Sequence, residues 1–474
     1  MDWFDSVITG ARVVDPANGL DDVRELGFKD GKVAEIAEGG LASRAWHVYD
    51  MSGYVAVPGI IDSHVHMRAV GEGNFCGFTM SALSGVCTVL EMWGHSESIM
   101  NALPQWGCGM SIALLEAGVP GLSLSGSDPS MDELDAFTRH SLDMGCFGTK
   151  LLGGHYPLTP EASSRFLQSA RKQGAYVAWH VGTTATGTSI LGMREACQIA
   201  DGGRLHLAHV NGNCRGIIND VMDEIAEAMR LLEDNPAITS ESYLSIINGL
   251  SLHLGNDGKV ASRSLASLLK KMGYTDDGDG VLNALRAKRL YVIDTMGIQA
   301  VRVTGEKAAQ LWLAAKGKIT GSMDANPALS RTAVCLARRK DGSFTVDAIS
   351  TDGGRYPRNS IVSHGLALVK MEALSMTEFA VKTSYNPARM LGLANKGHLG
   401  LGADGDVTVV DPRTCEPVMT LINGKVNLYK GAIMQQGGTV ITTPKGVDAI
   451  KKRGLPFIVT DPSQGPLPFR KAWK

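Results

Sequence analysis

The chain has 474 residues, with 46 Lys+Arg against 48 Asp+Glu and a formal net charge of −2. That balance excludes the electropositive footprint of a nucleic-acid binder or of a protein held on an anionic membrane. With 44% hydrophobic and 20% charged residues it is a folded chain rather than a disordered one.

The eight cysteines form no CxxC pair, so no disulfide framework or zinc ribbon is expected, and the opening MDWFDSVITGARVVD has no basic region followed by an apolar one. No apolar run reaches the roughly 18 residues that span a bilayer. The expectation is a cytoplasmic protein with reduced thiols and a small-molecule partner, without a membrane or nucleic-acid partner.

In chain order, the first fifty residues alternate as short strands, split by turn signals such as Asp30-Gly31. The same texture returns from Gly405, with a turn at Asn423-Gly424. Both ends are therefore expected to build one small β-domain. The middle alternates strand and helix. Its strand candidates are AVPGIIDSHVH, GVCTVLEM, MSIALLEA, GCFGTKLL, AYVAWH, LHLAHV, AITSESY and VDAIST. Helical-period stretches such as EASSRFLQSARKQG and IINDVMDEIAEAMRLLED separate several of them. Eight such units predict a (β/α)8 TIM barrel of class α/β.

The resulting division is residues 1–55 and 400–440 as the β-domain, 56–399 as the barrel, and 441–474 as a C-terminal tail, either loose or draped over a neighbouring subunit. An insertion at about 245–345 is too long for one crossover and is expected to carry its own helices as a lid over the mouth.

Chemistry-bearing residues fall late in these strands. His64 and His66 are two apart, so a strand puts both on one face, where two imidazoles can hold a borderline metal or simply be polar core residues. Lys150 ends GCFGTK, and a lysine pointing into a barrel is costly unless paired or modified. Addition of CO₂ would make it a carbamate (N6-carboxylysine) able to bridge two metals. His180, His209 and Asp352 end later strands. The ordered set His64, His66, Lys150, His180, His209 and Asp352 predicts a binuclear divalent site, with zinc as the expected metal. His206 competes with His209, but His209 lies nearer the C-terminal end of its strand, where ligands belong. His95 and His155 read as rim histidines.

These motifs resemble the amidohydrolase superfamily over nearly the whole length, in particular its dihydroorotase, hydantoinase and D-aminoacylase branches. PGIIDSHVH resembles the first metal motif, Thr149-Lys150-Leu151 the carbamylated-lysine strand, and LAHVNG the segment that supports His209. ITSESY resembles the strand in which Glu241 has a structural role, and SYNPARMLGL and LGLGADGDVTVVD resemble the return into a β-sandwich formed by both termini.

The resemblance implies a homo-oligomer (dimer or tetramer) and metal-dependent cleavage of a C–N amide bond in a cyclic amide, a ureide or an N-acyl amino acid. The attacking water would be activated between the cations, with Asp352 as proton shuttle. Arg68, in the pattern H-x-H-x-R, is implied to receive a substrate carboxylate. Asn326 and Arg331 are similar to a substrate-binding segment, with one extra residue.

Two departures count against pyrimidine synthesis itself. Residues 69–71 read Ala-Val-Gly where dihydroorotases continue Glu-Pro-Gly, and Asp352 is followed by Gly-Gly-Arg-Tyr-Pro. The segment Glu91-Met-Trp-Gly-His95 has no cysteine, so Lys150 must do the bridging. Alternative readings are a lactone, ester or phosphotriester hydrolase on the same site, or a silent dihydropyrimidinase-like scaffold.

Overall fold

The computed structural model describes residues 3–68 and 75–473, so residues 69–71 lie outside the described residues. Parallel pairing joins, in order, Ile60–His66, Val86–Glu91, Ser111–Gly118, Gly148–Leu151, Tyr176–Trp179, Leu205–Leu207, Ile238–Tyr243 and Ala348–Ser350. The dipeptide Gly353–Gly354 then pairs with Val65 and His66 of the first strand, so both ends of the curled sheet meet on one stretch of chain. The fold is mixed α/β and TIM-barrel-like.

Val86–Glu91 and Gly148–Leu151 are buried along their whole length. That burial is why parallel strands covered by helices read as apolar runs. The helices are set by local signals. Pro160–Gln173 starts where the Thr159 hydroxyl accepts from the Ala162 amide and stops at Gly174 with φ of 73°. In the second predicted helical stretch, Asp220 is the cap and the helix is Val221–Asp234.

The ends of the chain share one seven-stranded sheet. Arg12–Asp15, Leu20–Val23 and Val55–Pro58 join Val407–Asp411, Glu416–Ile422, Lys425–Tyr429 and Ala432–Ile433, with Val55–Pro58 antiparallel to Val407–Asp411. A four-stranded sheet of Phe4–Thr9, Glu25–Lys29, Lys32–Ala37 and Ala45–Asp50 contributes Ile8 and Phe28 to the same core as Val13, Val409 and Leu421. Both predicted turns close hairpins with positive φ at their central residues: Asp30 and Gly31 (52° and 78°), Asn423 and Gly424 (51° and 69°).

The segment after Tyr243 holds more than helices. Leu250–Ser251, Thr320–Ser322, Tyr291–Met296 and Gln299–Val303 make an antiparallel sheet. With helices Arg263–Lys271, Gly278–Arg286 and Gly305–Ala314 it closes a separate core around Leu252, Leu265, Leu285 and Trp312. The next helix, Ala328–Leu336, packs differently. It lies on Val221–Asp234 and Ile238–Tyr243, and its Val334 joins the core outside the curled sheet. It therefore covers the sheet rather than belonging to the inserted layer.

The tail also corrects an expectation. Thr439–Thr442 pairs in parallel with Ser111, Ile112 and Ala113, and Phe457–Val459 pairs with it in turn. Arg470 then forms a double ion pair with buried Asp347, Nε to Oδ1 and Nη2 to Oδ2, both 2.7 Å. The tail is neither loose nor draped elsewhere; it is built onto the underside of its own sheet.

Candidate metal centre

His64 and His66 come from one strand and project from its C-terminal end. His64 is fully buried, with Nδ1 2.7 Å from Glu241 Oε1. That contact assigns the proton to Nδ1 and leaves Nε2 facing the centre. His64 Nε2 lies 3.0 Å from Lys150 Nζ and 3.4 Å from Asp352 Oδ1, and His66 Nε2 lies 2.9 Å from the same oxygen. One donor atom from each of His64, His66 and Asp352 falls within 4.8 Å of the others. Among the described residues the buried Nδ1 atoms of His66 and His209 have no hydrogen-bond partner, although Glu91 Oε1 stands 3.9 Å from that of His66.

Lys150 is fully buried against His64 and Met92 Sδ (3.3 Å), and among the described residues no carboxylate pairs with it. Burial lowers its amine to about 8, against the pull of the neighbouring acids.

His180 and His209 complete the cluster, with ring centroids 4.2 Å apart and His209 5.1 Å from His64. The strand ends at Leu207, and His209 takes a left-handed φ of 34°, rare for a residue with a Cβ. Its amide donates to Glu241 Oε1 at 2.7 Å. His206 has Nδ1 2.8 Å from the Tyr176 hydroxyl, beside a different small cavity lined by Arg171 and Arg204, and Nε2 3.9 Å from Glu241 Oε1. Burial lowers the pKa of His64, His180 and His209 below the usual histidine range, which leaves them neutral, the form that ligates metal.

Two buried acids tie the layers together. Glu241 accepts from His64, from the His209 amide and from the Ser350 hydroxyl. Asp62 accepts from the amides of His64 and Thr351 at 3.2 and 3.1 Å and from the Thr351 hydroxyl, joining the first strand to the last. Asp352 has a positive φ of 50° and is gripped by Arg358, Nη2 to Oδ2 and Nε to the main-chain oxygen, both 2.6 Å. Burial works to raise its carboxyl, but Arg358 and His66 hold it well below the usual carboxylate range.

Above the cluster, an inner cavity lined by Trp93, Tyr243, Tyr356 and Arg215 opens into an outer one of about 320 Å³, lined by Arg68, Tyr156, His253 and Lys318. Part of that outer wall, Leu250, Ser251, His253 and Lys318 to Thr320, comes from the inserted layer.

The expected substrate residues are dispersed. Arg68 lines the outer cavity with Nη1 3.0 Å from Ser98 Oγ. Asn326 and Arg331 line a separate cavity that shares Arg215 with the inner one. The Asn326 amide is bonded to Arg215, Tyr243 and main-chain carbonyls, and Arg331 donates to the Leu244 and Asn326 oxygens. Sequence reasoning passed over Arg215 and Arg358, which carry no strand-end signal. It also set aside His155, whose ring lies 4.8 Å from His180 and whose Nδ1 lies 2.7 Å from Ser262 Oγ.

Three neutral imidazoles, a fourth (His66) whose pKa burial works to lower but Asp352 and Glu91 raise, one ionised carboxylate and a buried amine with no carboxylate partner among the described residues form a donor set that fits borderline divalent cations. Residues 55–431 match the profile of the Amidohydrolase family, and the chain belongs to that family. As a member it is a hydrolase acting on carbon–nitrogen bonds, of a class that uses divalent metal ions.

Among curated proteins it is similar to a dihydroorotase of Geobacter sp. strain M21, at 25% identity over 453 residues covering 86% of this chain and 89% of that one. Among solved structures its fold is similar to N-acyl-D-glutamate deacylase from Bordetella bronchiseptica, complexed with zinc and a phosphonate mimic of the tetrahedral intermediate. The TM-score is 0.69 at 16% identity, covering 93% of this chain and 99% of that one. A D-aminoacylase studied for its binuclear metal centre gives a TM-score of 0.67 at 15% identity, covering 92% and 99%. Among the described residues, no helix is long and apolar enough to cross a membrane.

Proposed function

We propose that the protein hydrolyses a C–N amide bond in a small, carboxylate-bearing cyclic amide, ureide or N-acyl amino acid. The reaction would take place on a binuclear zinc centre held by His64, His66, His180, His209, Asp352 and Lys150 as its carbamate. The observation that carries this reading is the convergence of His64, His66 and Asp352 within 4.8 Å, with Lys150 against the same His64 nitrogen. Bound there, divalent ions supply carbonyl polarisation and a water acidic enough to ionise near neutral pH.

The chain's own residues do the rest. Asp352, oriented by Arg358, takes a proton from the attacking water and delivers it to the departing nitrogen, which leaves poorly as an anion. Glu241 keeps the His64 ring and the His209 turn in register with the centre. Trp93, Tyr243 and Tyr356 wall the cavity and exclude water around the scissile bond. The enclosing architecture is a (β/α)8 barrel with a β-sandwich domain drawn from both termini, and the protein works as a homo-oligomer in the cytoplasm.

The test is metal analysis coupled to a substrate panel of cyclic amides, N-acyl amino acids and lactones. Bound divalent metal with turnover of an amide is the expected result. Turnover of lactones alone, or of nothing in fully metallated protein, would overturn the reading.

A further inference from the structure

Arg215 follows His209 in the turn beyond the Leu205–Leu207 strand and is buried. Its Nε donates to Asn326 Oδ1 at 2.9 Å and its Nη2 to the Tyr243 hydroxyl at 3.2 Å. Among the described residues no carboxylate pairs with it, although a buried guanidinium without a counter-charge is costly. Arg358, the other guanidinium lining this cavity, is already committed to Asp352.

Arg215 lines the same cavity as His180, His209 and Asp352. Gly212 lies between His209 and Arg215. A Cβ there would stand 3.1 Å from His209 Nδ1 and 3.4 Å from Arg215 Nη2. Arg215 Nη2 therefore lies near His209 Nδ1 on the wall of the cavity that holds the cluster.

We propose that Arg215, rather than Arg68, receives the substrate's carboxylate, and that this carboxylate sits on the carbon attached to the scissile nitrogen. The substrate class is then an N-acyl α-amino acid or the ring-closed ureide with the same N–C–COO⁻ unit. The closeness of Arg215 to the ligand cluster requires a carboxylate only a bond or two from the reacting nitrogen; a distal side-chain acid would reach the outer cavity instead. Nε and one Nη2 hydrogen are held by Asn326 and Tyr243, so the Nη1/Nη2 edge is set for a two-pronged carboxylate contact. Asn326 enters as a positioning residue that acts through Arg215.

The inference rests on the C–N hydrolase reading, and the test separates the two. Zinc-loaded protein in an Asp352→Asn background is titrated calorimetrically with N-acetylglycine and with N-acetylglycinamide. The acid is expected to bind about 10- to 100-fold tighter than the amide, and Arg215→Met to reduce that preference to under about 3-fold with metal content unchanged. Arg215→Lys keeps the charge but loses the fork, so it serves if the Met variant does not fold. It is expected to weaken acid binding about 10-fold and leave amide binding unchanged.

A preference that survives both variants, or one abolished by Arg68→Met instead, overturns the assignment. Parallel turnover assays use the protein with Asp352 intact. Hydrolysis of amides without any preference for the acid overturns this inference, and with it the carboxylate in the substrate proposed above, but leaves C–N hydrolysis standing. Arg215-dependent acid binding without hydrolysis of any panel member supports it and overturns the reaction assigned above.

Discussion

Replacing Glu241 with Gln perturbs the centre without replacing a proposed ligand. The carboxylate is fully buried and accepts from His64 Nδ1 and the His209 amide, both at 2.7 Å, and from the Ser350 hydroxyl. Gln preserves the shape and one acceptor oxygen, so the fold is kept, but two bonds to an anion become bonds to a neutral amide. Bonds to charged groups contribute about 1.5–3 kcal/mol each and neutral ones about 1, so the exchange costs roughly 1–4 kcal/mol.

That loss falls on the orientation of His64 and His209, and metal affinity is expected to drop about 10- to 100-fold. The assay is competition with a chromogenic chelator, with thermal melting as the control for folding. Burial pushes the Glu241 carboxyl up to about 8, outweighing the Ser350 and His209 bonds that favour the anion. If Glu241 were protonated in the working enzyme, Gln would be a near-silent replacement. A metal affinity within about 3-fold of the parent would refute the idea that its charge orients the ligands.

Asp352→Asn is expected to retain metal through the remaining donors and to lose about 10²- to 10⁴-fold in turnover, as measured by steady-state rates on any amide of the panel. A near-normal rate would exclude the proton shuttle. Lys150→Ala is expected to lose metal and activity together, with partial recovery on adding a short carboxylic acid that stands in for the carbamate; full metal content in that variant would remove the bridging role.

Away from the centre, Lys396 is buried between Asp406 and Asp404 at 2.6 and 2.9 Å. Burial works to raise Asp404, but Lys396 and Lys32 hold it below its ordinary value. A depressed carboxyl contributes stability above its unfolded value of about 3.9, and that contribution is lost as pH falls through the lower folded value. Melting temperature followed from pH 6 downward should therefore fall on acidification in the parent, and less steeply in Lys396→Met; equal slopes would contradict this.

The strands of the curled sheet were legible because burial on both faces turns them into uninterrupted apolar segments, as in Val86–Glu91, and because Asp30-Gly31 and Asn423-Gly424 carry their own turn chemistry. The clustering of His64, His66, Lys150 and Asp352 was legible for a related reason, since each is a costly polar group at the end of such a segment.

What could not be read is non-local. His209 reaches the cluster through a left-handed turn that strand periodicity does not encode. Whether Ala328–Leu336 belongs to the inserted layer or to the sheet depends on what it packs against, not on its own pattern. The short inserted strands Tyr291–Met296 and Gln299–Val303 are half-exposed and lack a strong alternation. Arg215 gains meaning only from Tyr243 and from Asn326, 111 residues away, and Arg358 only from Asp352.

The central claim is tested most directly by anomalous diffraction from crystals grown with zinc and bicarbonate. The account expects two metal peaks enclosed by His64, His66, His180, His209 and Asp352, with extra density extending from Lys150 Nζ between them. Peaks elsewhere, or none at that site under those conditions, would contradict it.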